Sequence, residues 1–175
     1  VGCHHELMKT PLVYTTEGAD AFADVPPVRQ GNDVVLVYAT DRAREPDKDG
    51  AVRYGYDRSS SLAIGEVAVN IGGDADWDTV VQASEQRRRT TKLNMTVGPI
   101  QEIHRFPATP APVRLIGVDR EPTEAWTAEY AAGERELHAL VSKQLAETPC
   151  KEAFLYVHGF ANDFDDAALT WAETW

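Results

Sequence analysis

The stretch Phe154-Leu155-Tyr156-Val157-His158-Gly159-Phe160-Ala161-Asn162-Asp163-Phe164, followed by Asp165, Asp166 and an alanine-rich run, decides how this chain is read. Phe154 to Val157 are bulky, aromatic or β-branched and carry no charge, which suits a short central strand buried on both faces. Gly159 lets the backbone turn sharply. Asn162 or Asp163 can cap a following helix, whose first turn would hold Asp165 and Asp166 against the positive helix end. A strand that stops in a glycine turn and opens a helix points backbone N–H groups at whatever sits above the sheet. Such groups can stabilise an oxyanion.

Outward from this stretch, the preceding segment reads as its supporting frame. Val113-Arg114-Leu115-Ile116-Gly117-Val118 predicts a strand, and Glu121-Pro122-Thr123 opens a helix with Thr123 as cap. Trp126, Tyr130, Leu137, Leu140, Val141 and Leu145 recur at helical spacing and form a core stripe, with Gly133 a weak point inside it and His138 off the stripe. Thr148-Pro149 ends that helix. Strand, helix, strand, helix in this order predicts a βαβ unit in an α/β fold.

The string YVHGFANDFDDAA (156–168) resembles the strand–His-Gly–helix segment of the α/β-hydrolase superfamily. It is most similar to a bacterial, often lipoprotein-like branch of it, in which a YATDR string also recurs, here Tyr38 to Arg42. The resemblance implies a serine hydrolase of ester or related acyl bonds whose oxyanion hole takes one backbone N–H from this loop, here that of Phe160. It gives His158 and Gly159 the geometry of the turn and makes neither the catalytic histidine. It implies a small-molecule acyl substrate and no cofactor. The spacing of His158, Asp163, Asp165 and Asp166 fits neither a zinc pattern nor a calcium loop, so no metal is expected.

The elbow pattern G-x-S-x-G occurs nowhere in the 175 residues. Ser59-Ser60-Ser61 lies in an expected polar turn without flanking glycines and is rejected as a nucleophile. Nucleophile, acid and catalytic histidine are therefore expected outside this sequence, and the chain alone is expected to be inactive. The helix from Ala167 to Trp175 runs without a Gly cap or Pro stop and sets Trp171 and Trp175 on one face, so the chain reads as ending inside a domain. The rival function is a non-catalytic envelope lipoprotein that uses a hydrolase-like fold as a binding module.

Val1-Gly2-Cys3 resembles the end of a bacterial lipoprotein signal, which makes Cys3 the lipidation candidate and the cell envelope the expected location, the cytoplasm being the alternative. His4 and His5 beside it read as solvated, and Cys150 as a free thiol. Residues 1–33, broken by Pro11, Gly18, Pro26 and Pro27, read as an irregular arm or tether, and 34–175 as the hydrolase-like portion.

Val34 to Ala39 predicts a strand, and Asp41 with Arg42 reads as a local ion pair at its end. Glu45 to Gly50 is a charged hairpin turn. Val52 to Tyr56 and Leu62 to Ile71, closed by Gly72-Gly73, are further strands, the antiparallel opening of the fold. Asp74 to Thr96 reads as polar and mixed, with Arg87-Arg88-Arg89 a solvated basic run. Ile100 to Phe106 reads as a short strand in which His104 is structural.

With 43% apolar residues the chain can build a real core. The net charge of −11 opposes nucleic acid and anionic membrane surfaces as partners. No apolar run approaches membrane-spanning length.

Overall fold

The computed structural model describes residues 5–9, 11, 22–45, 49–85, 92–116, 119–148, 151–159 and 162–174. The chain is mixed α/β, as the sequence implies, with antiparallel sheets. Strands β1 (Asp33–Arg44), β2 (Tyr54–Ile71) and β3 (Met95–Arg105) form one sheet in the order β1-β2-β3, and β4 (Val113–Ile116) with β5 (Asp119–Pro122) forms a second. The helices are α1 (Trp77–Glu85), α2 (Glu124–Ala146) and α3 (Phe164–Ala172). The chain divides into two compact units, one of Val1–Leu36, Ala68–Gly98 and Asp165–Trp175, the other of Val37–Val67 and Pro99–Phe164.

β2 absorbs two expected strands and the expected serine turn between them. Ser59, Ser60 and Ser61 are strand residues. As the middle strand, β2 has backbone partners on both sides, and those hydrogen bonds outweigh the weak strand preference of Asp57-Arg58-Ser59-Ser60-Ser61. Ala63, Ile64 and Gly65 are all buried, and from Gly65 onward the pleat buries alternate residues: Gly65, Val67, Val69 and Ile71 face inward, while Glu66, Ala68 and Asn70 are half-exposed. The turn that closes β2 is the expected one. Gly72 and Gly73 both take positive φ, 78° and 65°, and Asn70 ties the turn by accepting from the Gly73 N–H at 2.9 Å.

In the first unit, Leu7, Val34, Ile71, Val80, Leu93 and Met95 are buried, as are Ala168, Leu169 and Ala172 of α3. Of the expected N-terminal arm, residues 5–7 run beside the start of β3: the Leu7 N–H donates to the Leu93 carbonyl (3.0 Å) and the Met95 N–H to the His5 carbonyl (2.8 Å). His5 is not simply solvated, because its Nε2 lies 3.0 Å from Asp166 Oδ1. Helix α1 falls in the stretch read as polar and mixed. Its start signal is Asp76, whose carboxylate accepts from the Thr79 N–H at 2.9 Å, as an N-cap does. The run Arg87-Arg88-Arg89 and the residue Trp175 lie outside the described residues.

In the second unit the expected βαβ order does not form. β4 pairs with β5 as a hairpin, Val113 opposite Pro122 and Ile116 opposite Asp119. The ion pair Arg114–Glu121 (3.7 Å) crosses it. Helix α2 follows with Thr123 at its N-cap, as expected, though the threonine side chain makes no capping bond. The expected stripe is only partly buried: Leu140 is inside, Tyr130 is exposed, and the most closely packed position is Gly133, read from sequence as a weak point. A Cβ there would sit 2.6 Å from Phe106 Cε1 and 2.7 Å from His104 Cδ2, so the glycine lets these rings approach the helix. Lys151 Nζ closes the helix end by donating to the carbonyls of Leu145 (2.7 Å) and Ala146 (3.3 Å).

The deciding stretch itself departs most from expectation. Residues 151–159 form neither strand nor helix, and Phe154, Leu155 and Val157 are 77%, 91% and 78% exposed rather than buried. A strand is stable only beside another strand, and β4 has spent its pairing on β5. The helix after the stretch does form: α3 begins at Phe164 with Asp165 and Asp166 in its first turn.

Candidate functional site

Of the residues singled out from sequence, His158 is half-buried and its Nδ1 lies 2.9 Å from the Gly159 carbonyl oxygen. Gly159 is not in the left-handed region, and a Cβ would meet open space there. Phe160, Cys3 and Cys150 lie outside the described residues.

The main chain just before α3 is held by Arg42. On β1 the even-numbered residues Val34, Leu36, Thr40 and Arg42 are buried, so one face of the strand is apolar at its start and polar at its end. Arg42 is 4% exposed and is not the partner of Asp41, which pairs with Arg58 instead. Its Nη1 donates to the Gly55 carbonyl on β2 at 2.8 Å, and its Nη2 donates to the Asn162 carbonyl, two residues before α3 begins. The guanidinium also lies 5.6 Å from the centre of the Tyr56 ring. The Tyr56 hydroxyl in turn reaches Asp163 at 3.4 Å. A charged donor to a carbonyl contributes about 1.5–3 kcal/mol, more than a neutral one, and a stacked tyrosine about 0.5–1 kcal/mol. Two strings of the sequence resemblance, Tyr38 to Arg42 and Tyr156 to Phe164, thus meet at a buried side chain.

A second cluster braces the start of α3. The Tyr38 and Tyr54 rings pack on Phe164 with centroids 5.0 and 4.9 Å away. Their hydroxyls are 2.8 Å apart, and the Tyr54 hydroxyl donates to Glu102 Oε2. Since the one Tyr54 proton is given to Glu102, Tyr38 is the donor between the two tyrosines. Arg44 Nε (2.9 Å) and Arg105, through Nε (3.0 Å) and Nη2 (2.8 Å), donate to the same carboxylate, whose side chain is 5% exposed.

Burial alone would raise the Glu102 carboxyl, but hydrogen bonds from Arg105, Arg44 and Tyr54 outweigh it and hold it at about 2. Burial pushes the Tyr38 phenol up to about 12. Burial, and then the bond to Glu102, raises Tyr54 further. A general acid or base works best near the operating pH, and these groups are far from neutrality. The cluster is therefore an electrostatic brace rather than a proton-transfer site.

Ser60, Ser61, Asp41, Phe106, Thr109 and Tyr130 help line a recess of about 290 Å³, the larger set including Ser59 but no histidine. Beside the serines the recess offers the Asp41 carboxylate, which is paired with Arg58. His104 packs edge-on against Phe106, centroids 5.4 Å apart, and its buried Nε2 has no hydrogen-bond partner among the described residues. His138 is exposed. Among the described residues no group of three or more His, Cys, Asp or Glu side chains is placed to hold a metal, and no helix is long and apolar enough to cross a membrane.

Sequence reasoning missed Arg42 as an anchor and missed Glu102 altogether. The signal available was the parity of Tyr38, Thr40, Arg42 and Arg44 along one strand. The partners that give it meaning come from β2, β3 and the 162–164 segment. No protein-family model, no curated protein and no solved structure matches the chain.

Proposed function

We propose that this chain carries the oxyanion-hole segment of an α/β-hydrolase-type serine hydrolase acting on an ester or related acyl bond, with β1 to β3 as the antiparallel opening of that fold. The Phe160 N–H is the donor, and His158 and Gly159 shape the turn. The observation that carries the reading is the clamp of buried Arg42 on the Asn162 carbonyl. An oxyanion donor is useful only if its backbone is fixed before the charge develops, and a buried guanidinium bonded to the Asn162 carbonyl fixes the main chain at the end of this segment, which supports the reading. The nucleophile, the acid and the catalytic histidine are not among these 175 residues, so the chain by itself turns over no small ester. Cys3 would attach the protein to the cell envelope through a lipid.

The test uses the encoding gene's whole reading frame, expressed and assayed with a small acyl ester. Because the donor is a backbone group, Phe160→Ala keeps it and Phe160→Pro removes it. The proline variant should lose about 10²–10³ in kcat and the alanine variant little. Full kcat in the proline variant, or no esterase activity in the unaltered protein, sinks the reading.

A further inference from the structure

The recess of about 290 Å³ beside β2 has no part in the oxyanion segment, and its walls are tied together. Ser59-Ser60-Ser61 is held in β2 against its own weak strand preference, and positions where local preference is overridden concentrate at functional sites. The loop after β3 is pinned to this strand. The Phe106 N–H donates to the Leu62 carbonyl (2.8 Å), and the Thr109 N–H (2.8 Å) and hydroxyl (3.0 Å) both donate to the Ser60 carbonyl. Helix α2 holds the same loop: Trp126 Nε1 donates to the Ala108 carbonyl (2.9 Å), and the indole stacks on Tyr130 with centroids 5.0 Å apart. Walls fixed before a ligand arrives remove part of the ordering cost of binding.

The lining selects the ligand by its chemistry. Among the described residues that line the recess there is no lysine, arginine or histidine, so an anion finds no countercharge. The Asp41 carboxylate is already paired with Arg58, so a cation gains little. A purely apolar guest would strip water from that carboxylate and from the serine and threonine hydroxyls without replacing the bonds. Those hydroxyls offer both halves of a hydrogen bond. Ser60 and Ser61 have no hydroxyl partner among the described residues, and Ser59 Oγ accepts from the Ser61 N–H (3.1 Å) and keeps its proton to give. Thr109, whose proton goes to Ser60, is left to accept. Leu62 and Tyr130, 41% and 38% exposed, add apolar surface. We propose that this recess binds one neutral sugar ring, a pyranose. Its hydroxyls exchange hydrogen bonds with Asp41, Thr109 and the serines, while its C–H surface lies against Leu62 and Tyr130. The volume is just below the roughly 300–1,000 Å³ of sites for larger ligands, which suits one ring rather than several. The serines act here only as hydrogen-bonding groups.

Ligand-detected NMR on the purified 175-residue chain tests this with D-glucose, D-galactose, D-mannose and N-acetyl-D-glucosamine, each as the free sugar and as its methyl glycoside. At least one should bind saturably at about 1–10 mM, as roughly a dozen non-hydrogen atoms at ordinary ligand efficiency allow. Its amide shift changes should centre on residues 41, 59–62 and 106–109. Binding that survives the methyl cap assigns the site to the end of a glycan chain, and binding lost with the cap assigns it to a free sugar; both support the proposal. Asp41→Asn removes the charged acceptor and should weaken binding about tenfold. Ser61→Ala, which deletes a single oxygen and tests the site even where Asp41→Asn does not fold, should weaken it about three- to tenfold. No saturable binding of any of these sugars would overturn the proposal. So would shift changes centred elsewhere, a folded variant that binds as the unaltered chain does, or equally tight binding of cyclohexanol, a ring with one hydroxyl. None of these readouts depends on esterase activity, so the hydrolase reading stands or falls separately.

Discussion

Replacing Glu102 with glutamine removes the negative charge shared by Arg44, Arg105 and Tyr54 while keeping the side chain's shape. The carboxyl is held at about 2 in the folded chain, against 4.5 for an unperturbed glutamate. At about 1.4 kcal/mol per unit this gap corresponds to roughly 3 kcal/mol, trimmed to about 2–3 kcal/mol because the Arg44 side chain is 52% exposed and partly screened. The folded value lies below the unfolded one, so the unfolded chain takes up the proton first as pH falls. The contribution is therefore fully present above 4.5 and declines until pH has passed through about 2.

Urea unfolding of both proteins, followed by tryptophan fluorescence at a series of pH values, reads the difference directly, because carboxylates common to both cancel. At neutral pH the variant should be less stable by about 2–3 kcal/mol, and the two curves should converge as pH drops from 4.5 towards 2. A gap that is the same at neutral and acid pH, or no gap at all, would refute the view that the charge of Glu102 braces Tyr54.

Three further outcomes follow from the packing. Gly65→Ala would place a Cβ 2.0 Å from the Gln101 carbonyl oxygen on β3, a clash with backbone that cannot rotate away; thermal melting should show a loss of about 3 kcal/mol or more, or no folded protein. Gly133→Ala should lower the melting temperature although alanine favours helix by about 1 kcal/mol, since crowding the Phe106 and His104 rings costs about 1–3 kcal/mol; an unchanged or raised melting temperature would show that the rings yield freely. Arg42→Lys replaces a two-armed donor with a point charge and should speed amide hydrogen exchange selectively in residues 156–164, leaving residues 63–71 protected; unchanged exchange would remove Arg42 as the anchor.

The candidate site was legible only in pieces. His158-Gly159-Phe160 and the Tyr38 to Arg42 string are both visible in the sequence, but not that Arg42 reaches from one towards the other. A charged residue at a strand end is usually solvated, and Asp41 beside it offered a nearer partner. Only when β1 lies beside β2 and the Asn162 carbonyl comes within reach does burial of Arg42 become favourable, because both of its terminal nitrogens then find an acceptor in the main chain. Glu102 is similar. Nothing in Ile100 to Phe106 marks it until Arg44, Arg105 and Tyr54 converge on it.

By itself the sequence determined the local elements: α2 with Thr123 at its start, α3 with its acidic first turn and the Gly72-Gly73 turn. Helices and tight turns close their hydrogen bonds within a few residues, so neighbouring side chains suffice to specify them. The tertiary structure decided which segments are strands and what they face. It drew Ser59-Ser60-Ser61 into a sheet, folded β4 onto β5, and left Phe154, Leu155 and Val157 exposed despite their strand composition. A strand's hydrogen bonds lie on another strand, so its fate is set by which partner is free, and no local pattern records that.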